Sequence, residues 1–161
     1  MAARRSDQRP ADGIQSPIES PLIATAARML RASGQRLTVG RVGLVELLAG
    51  AERPLTIPEV LERDRSLAQS SAYRNLTVLE HAGVVRRIVT HDEFARYELA
   101  EDLTGHHHHL VCRACGRVED LPASPGLERS VGAAIDDAVQ QSGFRVDHHR
   151  LDLVGTCAEC A

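Results

Sequence analysis

This chain contains no lysine and no tryptophan, and only two phenylalanines and two tyrosines. With so few aromatics, 161 residues offer less apolar area for a core, and a metal staple is an expected supplement. The core must come from Leu, Val, Ile and Ala, within a hydrophobic fraction of 43%. The length allows one domain or two small ones. Since lysine is missing, arginine supplies every permanent side-chain cation, and its planar guanidinium suits bidentate contacts to phosphate and guanine. No segment approaches the ~18 apolar residues of a membrane-spanning helix. The start, MAARRSDQRPADG, carries no apolar stretch of the signal-peptide kind. The expectation is a cytoplasmic chain, without membrane association, whose thiols stay reduced. There is no internal repeat, no long low-complexity segment and no His-Glu-x-x-His motif.

The cysteines and histidines stand out against these absences. The only four cysteines form two Cys-x-x-Cys pairs, Cys112/Cys115 and Cys157/Cys160. Each pair places two sulfurs on one side of a tight turn. Two such turns complete the tetrahedron of a closed, structural zinc site. Two disulfides would use the same residues, but a reducing compartment argues for the metal. His106, His107, His108 and His109 run directly into LVCRACG, which separates them from an appended tag. They are either a solvated polar strand or donors for a metal site with a different job.

Charge divides the chain. Residues 1–90 hold 13 arginines against 9 acidic residues, and residues 91–161 hold 6 against 13. A basic half that could face nucleic acid precedes an acidic half that attracts cations.

Periodicity divides it at the same place. Residues 1–15 read as a disordered tail. Ser16-Pro17-Ile18-Glu19 has the form of a helix start running to Ala32 and Gly34. Thr38 caps a second helix that ends at Gly50. Thr56-Ile57-Pro58-Glu59 opens a short third helix. Ser70 or Ser71 caps a fourth, with Ala72, Leu76 and Leu79 on one face and Gly83 at its end. Val84–Val89 and Ala95–Leu99 then read as a hairpin around a turn at His91-Asp92-Glu93. Helices followed by a two-stranded wing are the order of a winged helix-turn-helix, whose last helix before the wing enters the major groove. Beyond it come short strands at His108–Cys112 and Val118–Leu121. An amphipathic helix over 126–142 follows, with Leu127, Val131, Ala134, Ile135, Ala138 and Val139 on one face. A long strand from Phe144 to Val154 completes the unit. The fold class is α+β: a winged-helix unit over 16–100 and a small α/β unit over 101–161. The second unit exposes a sheet edge and a helix face, so dimerisation is expected.

The segments LTVGR, SSAYRNLTVLEHAGVV, HHHHLVCRACGRVEDL and HHRLDLVGTCAEC together resemble the ferric uptake regulator (Fur) family, from about residue 34 to residue 160. The resemblance implies a homodimeric, metal-dependent transcription factor. Such a protein binds inverted-repeat operators in double-stranded DNA, usually as a repressor with metal as corepressor. It assigns Cys112, Cys115, Cys157 and Cys160 to structural zinc. Glu98, His107, His109 and Asp120 match the regulatory site between the two units, and His106, His108, Glu128 and His149 match a second site. Strand parity agrees: His107 and His109 share one face, and His106 and His108 the other. Only one of His148 and His149 can join a given site. Arg36, Tyr73 and Arg74 match DNA-contacting positions, and Arg41 is a further candidate for a phosphate contact.

The chain departs from the family pattern at three places. Pro54 stands where many members supply a further histidine, Ala100 lies near the place of a cysteine in zinc sensors, and Glu98 replaces the aspartate more usual in peroxide sensors. His91 is a candidate replacement ligand or an exposed turn residue. The regulatory ion is expected to be zinc or iron(II), with manganese and nickel also open. A peroxide-responsive repressor of the same family is the near alternative. A zinc enzyme or a zinc-stapled interaction module are the distant ones. A four-cysteine site leaves no position for water, and that argues against the enzyme.

Overall fold

The computed structural model describes residues 20–90 and 94–161. The tail at 1–15, the helix start at Ser16–Glu19 and the turn His91–Glu93 lie outside the described residues. The first described helix, α1 (Pro21–Ala32), starts from an extended Ser20 with proline in its first turn. The described helix therefore begins at the Ser20–Pro21 pair. α2 (Val39–Ala49) lies between Thr38 and Gly50 as expected, but the Thr38 hydroxyl makes no cap hydrogen bond; its carbonyl accepts from the Arg41 and Val42 N–H groups at 3.0 and 2.9 Å. A two-residue strand, β1 (Leu55–Thr56), leads into α3 (Ile57–Arg63). The capping box of α3 is complete: Glu59 Oε2 accepts from the Thr56 N–H at 2.7 Å, and the Thr56 hydroxyl accepts from the Glu59 N–H at 3.4 Å. Arg53 holds the other Glu59 oxygen at 2.5 Å. Burial opposes ionisation of Glu59, yet the hydrogen bonds from Arg53 and Thr56 hold its carboxyl down at about 2.

α4 (Gln69–His81) corrects one expectation. Its N-cap is Ala68, and Ser70 and Ser71 lie inside the first turn. The Ala68 carbonyl accepts from Ser71 and Ala72 N–H at 2.9 and 3.0 Å, so the backbone, not a serine hydroxyl, starts the helix. Its buried face is Ala72, Leu76 and Leu79. Gly83, at φ 72°, turns the chain into β2 (Val85–Val89), which pairs with β3 (Ala95–Leu99). β1 adds to the far edge of β3, giving the order β1-β3-β2. One core, including Leu30, Leu44, Leu55, Leu76, Leu79 and Val84, lies between α1–α4 and this sheet.

A four-residue helix, α5 (Glu101–Thr104), leads through Gly105 to the second sheet. That sheet has the order β5-β4-β6, from β4 (His107–Cys112), β5 (Val118–Pro122) and β6 (Asp152–Gly155). The long strand expected from Phe144 shrinks to β6. β6 pairs with β4 in parallel only from His109↔Asp152 to Cys112↔Gly155, and residues 144–151 form no ladder within the chain. A strand needs a neighbour, and apolar alternation alone does not supply one. α6 (Pro125–Ser142) is capped by the Ser124 hydroxyl, which accepts from the Leu127 N–H at 3.2 Å. None of its residues is buried. Its apolar face is left half-covered at best by its own chain. Ile88 of β2, Val111 of β4 and Val118 of β5 form a separate small cluster where the hairpin meets the second sheet.

Candidate metal centres

β4 and its flanks place donors on both faces of the second sheet. On one face, His109 stands directly opposite Asp120 in the β4–β5 register. Glu98 of β3 closes over them, with Oε2 at 2.9 Å from His109 Nε2 and 3.4 Å from His107 Nε2. One donor atom from each of Glu98, His107, His109 and Asp120 lies within 4.8 Å of the others. His109 is fully buried and the Glu98 side chain is 9% exposed. Buried carboxylate Oε1 of Glu98 has no hydrogen-bond partner, only an Arg86 Nε at 3.8 Å. Burial would lower the His107 pKa, but the Gly105 carbonyl and the Glu98 and Asp120 charges raise it. Desolvation raises Asp120, with the Glu98 charge adding to it against the pull of the histidines.

On the other face, His106, His108, Glu128 and His149 form a second group within the same 4.8 Å limit. His108 Nε2 lies 2.7 Å from Glu128 Oε1, and His106 Nε2 lies 3.3 Å from Oε2. The Nε2 atoms of His106 and His149 face each other at 3.1 Å. Imidazole nitrogens and a carboxylate converging in this way form a donor set suited to a divalent cation. His149 reaches this group from the segment before β6, while His148 is exposed. Glu128 is pulled below the usual carboxylate range by the His108 hydrogen bond.

The histidine rings share an orientation that spacing did not reveal. His106 Nδ1 faces Glu101 Oε2 at 2.8 Å, His107 Nδ1 the Gly105 carbonyl at 3.0 Å, and His109 Nδ1 Asp152 Oδ1 at 3.3 Å. Each acceptor holds a proton on Nδ1 and leaves Nε2 free to coordinate. Sequence reasoning missed Glu101, Gly105 and Asp152 in this role. Their only signal was the acidity of the flanking segments. His108 Nδ1 is buried and has no hydrogen-bond partner.

The four cysteines also converge. All four thiols are free, and Cys115 Sγ and Cys157 Sγ are 3.9 Å apart, close to the ~3.8 Å edge of a tetrahedron with Zn–S bonds of ~2.3 Å. Backbone N–H groups of Cys157, Cys115 and Ala114 hold Cys112 down at about 6, a thiolate at neutral pH. The thiols of Cys157 and Cys115 push Cys160 up to about 12. Three thiol neighbours around one thiolate form the donor set of a closed zinc site.

The ferric uptake regulator family model matches residues 32–154. The chain belongs to the ferric uptake regulator family. It is 28% identical over 140 residues to the peroxide operon regulator of Bacillus subtilis strain 168, covering 84% of this chain and 91% of the relative. The structure of the ferric uptake regulator from Pseudomonas aeruginosa with manganese matches with a TM-score of 0.65 at 26% identity, over 81% of this chain and 96% of that one. The Helicobacter pylori ferric uptake regulator, whose structure reveals three functional metal binding sites, gives 0.68 at 22% identity, covering 86% and 91%. Membership of the ferric uptake regulator family makes the chain a transcription regulator and not an enzyme. No described helix is long and apolar enough to cross a membrane.

Two family-related positions have clear surroundings. Pro54 lines a cleft of about 400 Å³ that opens on Glu98, His107 and Asp120, so the residue at this position does face the cluster. It offers no donor atom there. Ala100 caps α5, outside the cluster. Of the residues matched to DNA contacts, Arg36, Tyr73 and Arg74 are exposed, Tyr73 by 51%. Arg41 is half-buried: Nε donates to Asn75 Oδ1 at 3.3 Å and Nη1 to the Arg36 carbonyl. It ties α2 to α4 and to the backbone beside Arg36.

Proposed function

We propose that this chain is a metal-responsive, DNA-binding transcriptional repressor that works as a homodimer in the cytoplasm. Residues 16–100 form the DNA-binding unit and 101–161 the dimerisation unit. Cys112, Cys115, Cys157 and Cys160 hold structural zinc. Glu98, His107, His109 and Asp120 hold the regulatory ion, zinc or iron(II), and His106, His108, Glu128 and His149 a second divalent ion. At the regulatory site, Glu98 of β3 and His107, His109 and Asp120 of the second sheet would hold the ion, which would tie the two units together. Arg36, Tyr73 and Arg74 contact an inverted-repeat operator, and Arg41 sets the position of α4 and of the backbone beside Arg36.

The observation that carries this reading is Glu98. It belongs to the winged hairpin, yet its carboxylate completes a cluster whose other members lie on the second sheet. Occupancy of that cluster fixes the angle between the two units. In a dimer the same angle sets the spacing of two recognition helices over successive major grooves. The uncovered face of α6 supports dimerisation.

A peroxide-responsive repressor is the second reading, supported by the similarity to the Bacillus subtilis peroxide operon regulator. The deciding experiment is a mobility shift on a palindromic A/T-rich duplex. It is titrated with zinc, iron(II), manganese and nickel in turn, then repeated after peroxide. Metal-dependent retardation of the palindrome over random duplex supports the repressor. Equal affinity for both duplexes under every metal removes it.

A further inference from the structure

The short strap from Glu101 to His107 carries a support for one donor in each histidine cluster. Glu101 opens α5, and its two carboxylate oxygens serve different partners. Oε2 lies 2.8 Å from His106 Nδ1, and Oε1 accepts from Arg86 Nη1 at 2.9 Å. Arg86 belongs to β2, and its Nε stands 3.8 Å from Glu98 Oε1. Further along the strap, the Gly105 carbonyl accepts from His107 Nδ1 at 3.0 Å, at a backbone φ of 91° that a side chain would strain. A continuous path therefore joins the two clusters outside β4 itself. The Arg86 and Glu101 side chains are 19% and 32% exposed, so solvent screens this path only in part.

We propose that Glu101 is the positioning residue of the cluster at His106 and Glu128, and that it couples this cluster to the one at Glu98. The inference rests on the reading that both clusters hold divalent ions. A carboxylate behind a coordinating histidine fixes its tautomer and ring direction and makes the other nitrogen more basic. Glu101 does this for His106, whose Nε2 then faces Glu128 Oε2 at 3.3 Å. Coordination at Nε2 makes Nδ1–H a stronger donor, so an occupied cluster tightens the bond to Glu101. α5 and Gly105 are then held, and His107 keeps its carbonyl support. Filling one cluster raises the affinity of the other, and linkage makes the effect reciprocal.

The test is cobalt(II) titration, followed by absorption, of full-length protein that retains its zinc. Wild type, Glu101→Gln, Glu101→Ala and the His106→Ala/His108→Ala double variant are compared. Wild type is expected to fill both histidine clusters and the double variant only the one at Glu98. Glu101→Ala is expected to weaken the His106 cluster about tenfold and the Glu98 cluster about fivefold, although it removes no donor from either. Glu101→Gln keeps an acceptor for His106 and falls between. Nitrogen-15 NMR of the cobalt-free protein gives the independent readout: His106 carries its proton on Nδ1 in wild type and shifts toward the Nε2 tautomer in Glu101→Ala. Unchanged affinities and tautomer in Glu101→Ala overturn the proposal while leaving both sites standing. A wild type that binds no more cobalt than the double variant overturns the two-site reading, and the proposal with it.

Discussion

Glu98 Oε2 lies 2.9 Å from His109 Nε2, although one residue stands on the winged hairpin and the other on the second sheet. His109 is fully buried, so this polar contact between the two halves is shielded from solvent. A cation at this cluster would be held by Glu98 from one half and by His107, His109 and Asp120 from the other.

The first prediction follows from that contact. Glu98→Ala, or His107→Ala with His109→Ala, should lower regulatory-ion affinity by more than about 100-fold and abolish metal-dependent operator binding. Zinc content and dimer mass should stay at wild-type values. His106→Ala with His108→Ala should weaken metal binding but cost less in DNA affinity. Calorimetric metal titration and mobility shifts on the same samples check both arms. A larger loss of DNA binding from the second pair would reverse the assignment of the regulatory site.

Structural zinc gives the second. Cys112 joins β4 to the turn after β6, its Sγ accepting from the Cys157 N–H at 3.3 Å. Wild type purified without added metal should retain one zinc per chain, released by thiol oxidation. Cys112→Ser should lose both the zinc and the dimer, since metal binding and folding are linked in such sites. Zinc content by atomic emission and mass by light scattering decide it. A zinc-loaded Cys112→Ser dimer would refute the site.

DNA contact gives the third. Arg74→Ala should reduce affinity for all duplexes and lower the salt slope by about one unit per chain if the guanidinium neutralises a phosphate. If it reads a base, specificity at one operator position should relax by about 1–3 kcal/mol instead. Tyr73→Phe should be mild if the ring packs on a thymine methyl and costly if the hydroxyl binds phosphate. Binding measured at several salt concentrations separates these outcomes. Wild-type binding by Arg74→Ala would remove Arg74 from the interface.

The α3 capping box gives the fourth, and it is a pH effect. The Glu59 carboxyl is held at about 2 in the folded chain against 4.5 for the free group. A depressed acid stabilises the fold above its unfolded pKa. That contribution should be full above about pH 4.5 and be lost progressively as pH falls toward 2. Glu59→Gln should cost about 1 kcal/mol at neutral pH, the scale of a lost cap interaction, and flatten the acid limb of the stability curve. Urea denaturation at a series of pH values measures both. A variant with an unchanged acid limb would show that Glu59 is not the group responsible.

Much of this fold could be read from local chemistry. The Thr56–Glu59 box, Gly50 and Gly143 after their helices and the hairpin from Val85 to Leu99 all depend on neighbours in sequence. Strand parity likewise sorted His106 to His109 into two faces, because the alternation of a strand is fixed by its backbone. The misses depend on distant partners. β1 is two residues long and exists only because β3 accepts it. The strand expected from Phe144 begins only at Asp152, where β4 first lies alongside. Glu101 and Asp152 were invisible as supports because a hydrogen bond to an imidazole across 5 or 43 positions leaves no spacing rule.

Ile88, Val111 and Val118 make the buried apolar cluster, among the described residues, at which the wing rests on the second sheet. Three aliphatic side chains contribute roughly 1.5–3 kcal/mol apiece when fully buried. Carrying a two-state joint from one part in a hundred to ninety-nine takes about 5.5 kcal/mol of differential binding. These are similar magnitudes. If a metal-dependent change of posture opened this cluster, its cost would be of the size that differential binding of one ion can offset. Enlarging that cluster would turn a switch into a strut: operator affinity would rise, and the response to metal would fade.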